Sequence, residues 1–194
     1  MAAKRFFVEA SIFEAFKAKF VEAMNNVSYG DPLDEANDMG PISTEGLRKN
    51  IHKQVQQSIE AGCTLLCGGE MPEGAGNFYP ATILTDIPKG CPAYDEEIFG
   101  PVASLFKFDD LDSALEIANG HMYGLGGGVI SGDTDRAIEI AKNHIDSGIL
   151  QINRFSGAIP EVPFGGVRAS GYAREHVGLA LREFVNAKGL AVDD

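Results

Sequence analysis

The sequence predicts an α/β fold, a three-layer sandwich in which a mostly parallel sheet is covered by helices. Three observations predict it. Short β-branched and aromatic runs alternate along the chain with longer segments of helical period, the order expected of parallel strands joined by helices. The 194 residues, 44% hydrophobic and 23% charged, suffice for one substantial core. No internal repeat, low-complexity stretch or interdomain linker breaks the chain, which therefore reads as one domain.

The first predicted strand is Phe6 to Val8, short, aromatic and β-branched. Ser11 to Asn26 follows as a helix, because Ile12, Phe16, Phe20 and Met24 recur every four residues on one face. Gly30-Asp31-Pro32 opens a polar loop to Pro41, after which Ser43 is placed to cap a second helix with Leu47, Ile51, Val55 and Ile59 inward and Gly62 as its stop. Thr64 to Cys67 and Tyr79 to Leu84 read as strands around a Gly/Pro-rich turn from Gly68 to Gly76, and Val102 to Phe108 as another. Asp109 or Asp110 caps a helix that buries Leu111, Ala114, Leu115 and Ala118 and stops at Asn119-Gly120. A helix from Thr134 to about His144, a core strand from Gly148 to Asn153 and a long loop from Arg154 to Arg174 complete the body. Glu183 to Val192, with Phe184, Val185, Leu190 and Val192, reads as a last edge strand.

Composition excludes several functions. A formal net charge of -12 repels nucleic-acid backbones and anionic membranes. Cys63, Cys67 and Cys91, with four histidines, show no metal-ligand spacing, and an odd, low cysteine count suits a reducing compartment. There is no apolar run of about 18 residues and no secretion signal, so a cytoplasmic protein binding neither membrane nor nucleic acid is expected.

Four blocks carry a family resemblance: Ala2-Ala3-Lys4-Arg5; Glu96-Glu97-Ile98-Phe99-Gly100-Pro101; Asn119 with Tyr123-Gly124-Leu125; and Pro163-Phe164-Gly165-Gly166 with Ser170-Gly171-Tyr172-Ala173-Arg174-Glu175. In this order and spacing they resemble the C-terminal part of the catalytic domain of the aldehyde dehydrogenase superfamily, with a Rossmann-like sheet. Met1 to Val8 and Gly74-Ala75-Gly76-Asn77-Phe78-Tyr79-Pro80 are most similar to the succinate-semialdehyde branch. The resemblance implies that Met1 falls one position after the family's nucleophilic cysteine. The nucleophile, the principal base and the dinucleotide-binding domain would then lie upstream. It divides the chain into a catalytic part, 1–182, and an oligomerisation strand, 183–194, implying a homo-oligomer, an aldehyde substrate and NAD or NADP as cofactor. The chain alone is expected to be inactive and to bind cofactor weakly or not at all.

The resemblance assigns Glu97 to the nicotinamide ribose and Phe99 to positioning the ring. A carboxylate suits two vicinal hydroxyls, and residues two apart share a face when the backbone is extended. The residues alone also allow a helix-end charge and a core aromatic. Glu175 is implied deep in a substrate tunnel, where burial would raise its pKa and suit it to relaying protons, although a first-turn glutamate also answers a helix dipole. Phe164 would line the aldehyde pocket or simply tuck a Gly-Gly turn into the core. In the 154–162 loop, Ala158 or Ile159 stands near where the succinate-semialdehyde branch has a carboxylate-binding serine, leaving Arg154 or Ser156 to bind a carboxylate. Ala173 stands where the family usually has glycine.

Gly124-Leu125-Gly126-Gly127-Gly128 resembles a phosphate loop, but it precedes the strand-like Val129-Ile130-Ser131 instead of opening a helix, so close packing within a strand is expected. Two other functions remain: an interaction module assembling through its edge strand, and a small nucleotide binder using Gly126 to Gly128.

Overall fold

A computed structural model describes residues 2–154 and 157–193. The chain divides into two compact units, Ala3–Ala114 and the part from Leu115 onward, to which Ala2 also belongs.

In the first unit, β1 (Arg5–Glu9) leads into α1 (Ala10–Asn25), and α2 (Glu45–Glu60) precedes β2 (Thr64–Cys67), β3 (Thr82–Thr85), a short α3 (Pro92–Asp95) and β4 (Val102–Phe108). The strands form one sheet in the order β1-β4-β3-β2. β4 runs parallel to both β1 and β3, with Phe6 opposite Leu105 and Ile83 opposite Ala103; only β2, at the far edge, is antiparallel. α4 (Leu111–Asn119) runs through the boundary between the units.

Adjacent strand residues point to opposite faces, and the sheet splits its core accordingly. Val8, Ile83, Ala103 and Leu105 pack with Phe13, Phe16, Phe20 and Met24 of α1. Their neighbours Leu84 and Val102 pack instead with Ile51 and Val55 of α2 and Ala93 of α3. This unit is therefore α1, sheet, then α2 with α3, three layers deep. Ser104, on the α3 face, donates its hydroxyl to the Ala93 carbonyl at 3.3 Å.

Two details differ from the expected pattern. The buried stripe of α1 runs through Phe13, Phe16, Phe20, Val21 and Met24, whereas Ile12 is exposed. A spacing of four alone drifts off a helix of 3.6 residues per turn, and the stripe is anchored one residue later. The cap of α2 is Thr44, not Ser43: its hydroxyl accepts from the Leu47 amide at 3.2 Å.

The second unit holds β5 (Tyr123–Gly124), β6 (Gly126–Val129), α5 (Thr134–Asn143), β7 (Ile149–Ile152), β8 (Val167–Arg168) and α6 (Val177–Arg182). β6 and β7 pair in parallel, β5 and β8 antiparallel. Asp133 caps α5 by accepting from the Arg136 amide at 3.0 Å. The glycine run lies within β6, paired with Leu150 and Gln151, so these glycines permit close strand packing; a β-carbon on Gly128 would stand 3.0 Å from the Arg154 carbonyl oxygen.

The expected edge strand over Glu183 to Val192 does not form within this chain. Residues 183–193 form no strand, and Phe184, Val185, Leu190 and Val192 are exposed. A strand exists through its ladder partner, and among the described residues this segment has none.

Candidate active site

Glu97 and Phe99 lie in the short link between α3 and β4, in the first unit. Ile98 between them is 5% exposed and locked into the core beside Ile51 and Val102, while Phe99 is 71% exposed. Burying the middle residue turns both neighbours outward, as the spacing suggested. Phe99 is thus a large apolar ring left uncovered beside an exposed carboxylate.

The link is held from several directions. Gln54, 7% exposed on the buried face of α2, donates Nε2 to Glu96 Oε2 at 2.7 Å and to the Glu97 carbonyl at 3.3 Å. Asn50, one turn earlier, donates to Gln54 Oε1 at 3.3 Å, fixing the amide's orientation. From the other side, Lys4 donates Nζ to the Gly100 carbonyl, and its ammonium stands 5.9 Å from the centre of the Phe99 ring. Burial lowers the Lys4 pKa, and the Glu97 charge opposes that shift. The Gly100 amide donates back to the Ile98 carbonyl at 2.9 Å, closing a tight turn around Phe99. Glycine fits there without displacing a neighbour, whereas a β-carbon would meet Ile51 Cδ1 at 2.6 Å.

Phe164 and Glu175 belong to the second unit and are brought together: the Phe164 amide donates to the Glu175 carbonyl at 3.0 Å, and the Glu175 amide returns the bond at 2.6 Å. The Phe164 ring lies 5.9 Å from that of His176, whose Nδ1 is 3.1 Å from the Ile159 carbonyl oxygen. Glu175 is exposed, and it precedes α6 with His176 at the cap position, so it stands in no first helical turn. Gly165 and Gly166 serve close backbone approach: a β-carbon on Gly165 would fall 2.3 Å from the Ala173 carbonyl oxygen, and one on Gly166 2.4 Å from that of Ser170. Arg154 is exposed just after β7. Ser156 lies outside the described residues.

No cysteine of the chain is set up as a nucleophile. Cys63 and Cys91 are buried with their sulfurs 3.7 Å apart. Burial, reinforced by Cys91, pushes the Cys63 thiol up to about 12. Burial also raises the half-buried Cys67, opposed by a backbone hydrogen bond at Ile83. Attack requires a thiolate, and burial disfavours that form at Cys63 and Cys67. Among the described residues no group of three or more His, Cys, Asp or Glu is placed to hold a metal, and no helix is long and apolar enough to cross a membrane.

Sequence reasoning missed Lys4 and Gln54 as parts of this corner. Gln54 did leave a signal, a polar side chain at core spacing between Ile51 and Val55.

The model of the Aldehyde dehydrogenase family matches residues 1–190. The chain is 47% identical over 188 residues to a succinate-semialdehyde dehydrogenase [NADP(+)] of Mycolicibacterium paratuberculosis, covering 97% of this chain and 40% of that protein. It is 43% identical to an aldehyde dehydrogenase of Paenarthrobacter nicotinovorans, covering 97% of this chain and 41% of that one. Among solved structures, succinic semialdehyde dehydrogenase from Streptococcus pyogenes in complex with NADP+ superposes with a TM-score of 0.92 at 33% identity, over 98% of this chain and 42% of that one. Betaine aldehyde dehydrogenase from Staphylococcus aureus in complex with NAD+ gives 0.88 at 29% identity, over 93% and 37%. The chain spans about 40% of the length of the curated relatives it matches, and it belongs to the aldehyde dehydrogenase family.

Proposed function

We propose that this chain forms part of an NADP-dependent aldehyde dehydrogenase that oxidises succinate semialdehyde to the acid, corresponding to the C-terminal part of the catalytic domain. The observation carrying the reading is the Glu97–Phe99 corner: a carboxylate and an uncovered aromatic ring turned outward together by a buried Ile98. Glu97 accepts hydrogen bonds from the two ribose hydroxyls beside the nicotinamide, and Phe99 offers its face to the ring. The cofactor, when bound, supplies the hydride acceptor. Phe164 walls the aldehyde site and keeps water out, Arg154 or Ser156 binds the substrate's carboxylate, and Glu175 orients the hydrolytic water. The burial of Cys63 and Cys91 and the raised thiols of Cys63 and Cys67 support a nucleophile supplied from outside these 194 residues, so the chain alone turns nothing over.

The test is a chimera in which this chain replaces the 188 aligned residues of the M. paratuberculosis relative. It is expected to oxidise succinate semialdehyde with NADP+, and Glu97→Gln to raise the KM for NADP+ by about tenfold, the loss of one charge-assisted bond. A folded chimera without turnover contradicts the reading.

A second reading rests on the tail. Phe184, Val185, Leu190 and Val192 expose apolar surface, which supports self-association by strand addition to another copy. Val185→Pro removes a ladder donor and is expected to shift the assembly to monomer on size exclusion; an unchanged elution volume contradicts it.

A further inference from the structure

The link carrying Glu97 and Phe99 has no regular structure of its own, yet both ends are tied to side chains from other elements. Gln54 reaches it from α2 through two bonds, one to the Glu96 carboxylate and one to the Glu97 carbonyl. Lys4, from the segment entering β1, reaches it through the Gly100 carbonyl and lies against the Phe99 ring.

We infer that Lys4 and Gln54 are positioning residues that set the spacing between the Glu97 carboxylate and the Phe99 ring, and so decide how well the corner fits a nicotinamide ribose. This rests on the cofactor reading above and adds the two residues that make it work. Gln54 holds the Glu96 side chain and the Glu97 backbone, leaving the exposed Glu97 side chain to face a ligand. Lys4 acts at the other end. Its ammonium binds a backbone oxygen and lies against the aromatic ring, limiting how far the ring can swing. A corner fixed from both sides loses little freedom when a ligand arrives, and that saving appears as affinity.

The experiment is a titration of the 194-residue chain with nicotinamide mononucleotide at millimolar concentration, followed by the amide resonances of Glu97 to Gly100 and the ring resonances of Phe99. In the unsubstituted chain these resonances are expected to shift and saturate. Lys4→Met is expected to weaken the fitted Kd at least fivefold and to broaden the free Phe99 ring signals, while Lys4→Arg, which restores a cationic donor, stays within twofold. Gln54→Met, nearly the same size, is expected to weaken binding while leaving the thermal midpoint close to that of the parent. If Lys4→Met and Gln54→Met both bind within twofold of the parent, the positioning role is overturned and the cofactor corner stands. If the unsubstituted chain shows no saturable shift, the cofactor corner itself fails, and the positioning role with it.

Discussion

The two units of this chain are built to different degrees of completeness. Ala3–Ala114 has a sheet with helices on both faces and two core clusters, in which Val55, Ile83, Leu84 and Leu105 are wholly buried. From Leu115 onward the sheets are two-stranded, and Ala137, Ile140 and Ile149 are the buried apolar side chains among the described residues. Tyr172, Leu181, Phe184 and Leu190 stand exposed there. The site residues follow the same division. Glu97 and Phe99 are fixed by a buried isoleucine between them and by polar ties at each end, whereas Phe164 and Glu175 are joined to each other only through their backbones. A site on a finished core is prepared in advance; a site on thin sheets needs further surface to enclose it.

The largest expected effect breaks the first unit. Leu105→Ala should cost about 2–5 kcal/mol, since it empties a site closed on all sides, and Ile149→Ala in the second unit should fall at the low end of that range. Urea unfolding followed by circular dichroism checks the order; equal losses would erase the contrast.

Next comes Gly100→Ala, which drives a methyl into Ile51 and should cost about 1–3 kcal/mol as overpacking. Its tertiary signature should appear at Glu97 to Gly100 and leave β6 and β7 unshifted, as an amide shift map would show.

An alkaline effect also belongs to the first unit. Burial raises the Cys63 thiol from 9.0, and the Tyr79 hydroxyl from 10.0, each to about 12. Both groups hold their protons more tightly folded than unfolded, so their contribution is complete below pH 9 and is lost as pH rises toward 12. Tyr79→Phe should flatten the part of that loss above pH 10 in thermal melts; an unchanged slope contradicts the assignment.

The smallest effects are the caps. Thr44→Ala on α2 and Asp133→Ala on α5 each remove a side-chain acceptor for a helix amide and should cost about 1 kcal/mol. Lowered thermal midpoints would show it.

What was legible in the sequence follows the same line between strong and weak local signals. Val102 to Phe108 was readable to its ends, because a seven-residue run with Val102, Phe106 and Phe108 sits between a proline and two aspartates. The helix at Thr134 was readable from its periodicity and ends one residue earlier than expected. Four-residue α3 and two-residue β5 and β8 were not, since elements that short leave no periodicity. The tail forms no strand within this chain, because β-propensity states what fits a strand and not whether a partner strand is present. In the site, the Glu97–Phe99 spacing was visible, but its supports were not: Lys4 precedes its contacts by more than ninety residues, and only the fold brings them together.

The central claim is that the Glu97–Phe99 corner, proposed to hold the cofactor, is ready-made in the first unit, while Glu175 of the second unit is exposed. Amide hydrogen exchange with and without millimolar NADP+ tests this most directly. The account predicts added protection at Glu97 to Gly100 and none at Phe164 to His176. Protection confined to Phe164 to His176 or to the β6 glycines, or no difference anywhere, would contradict it.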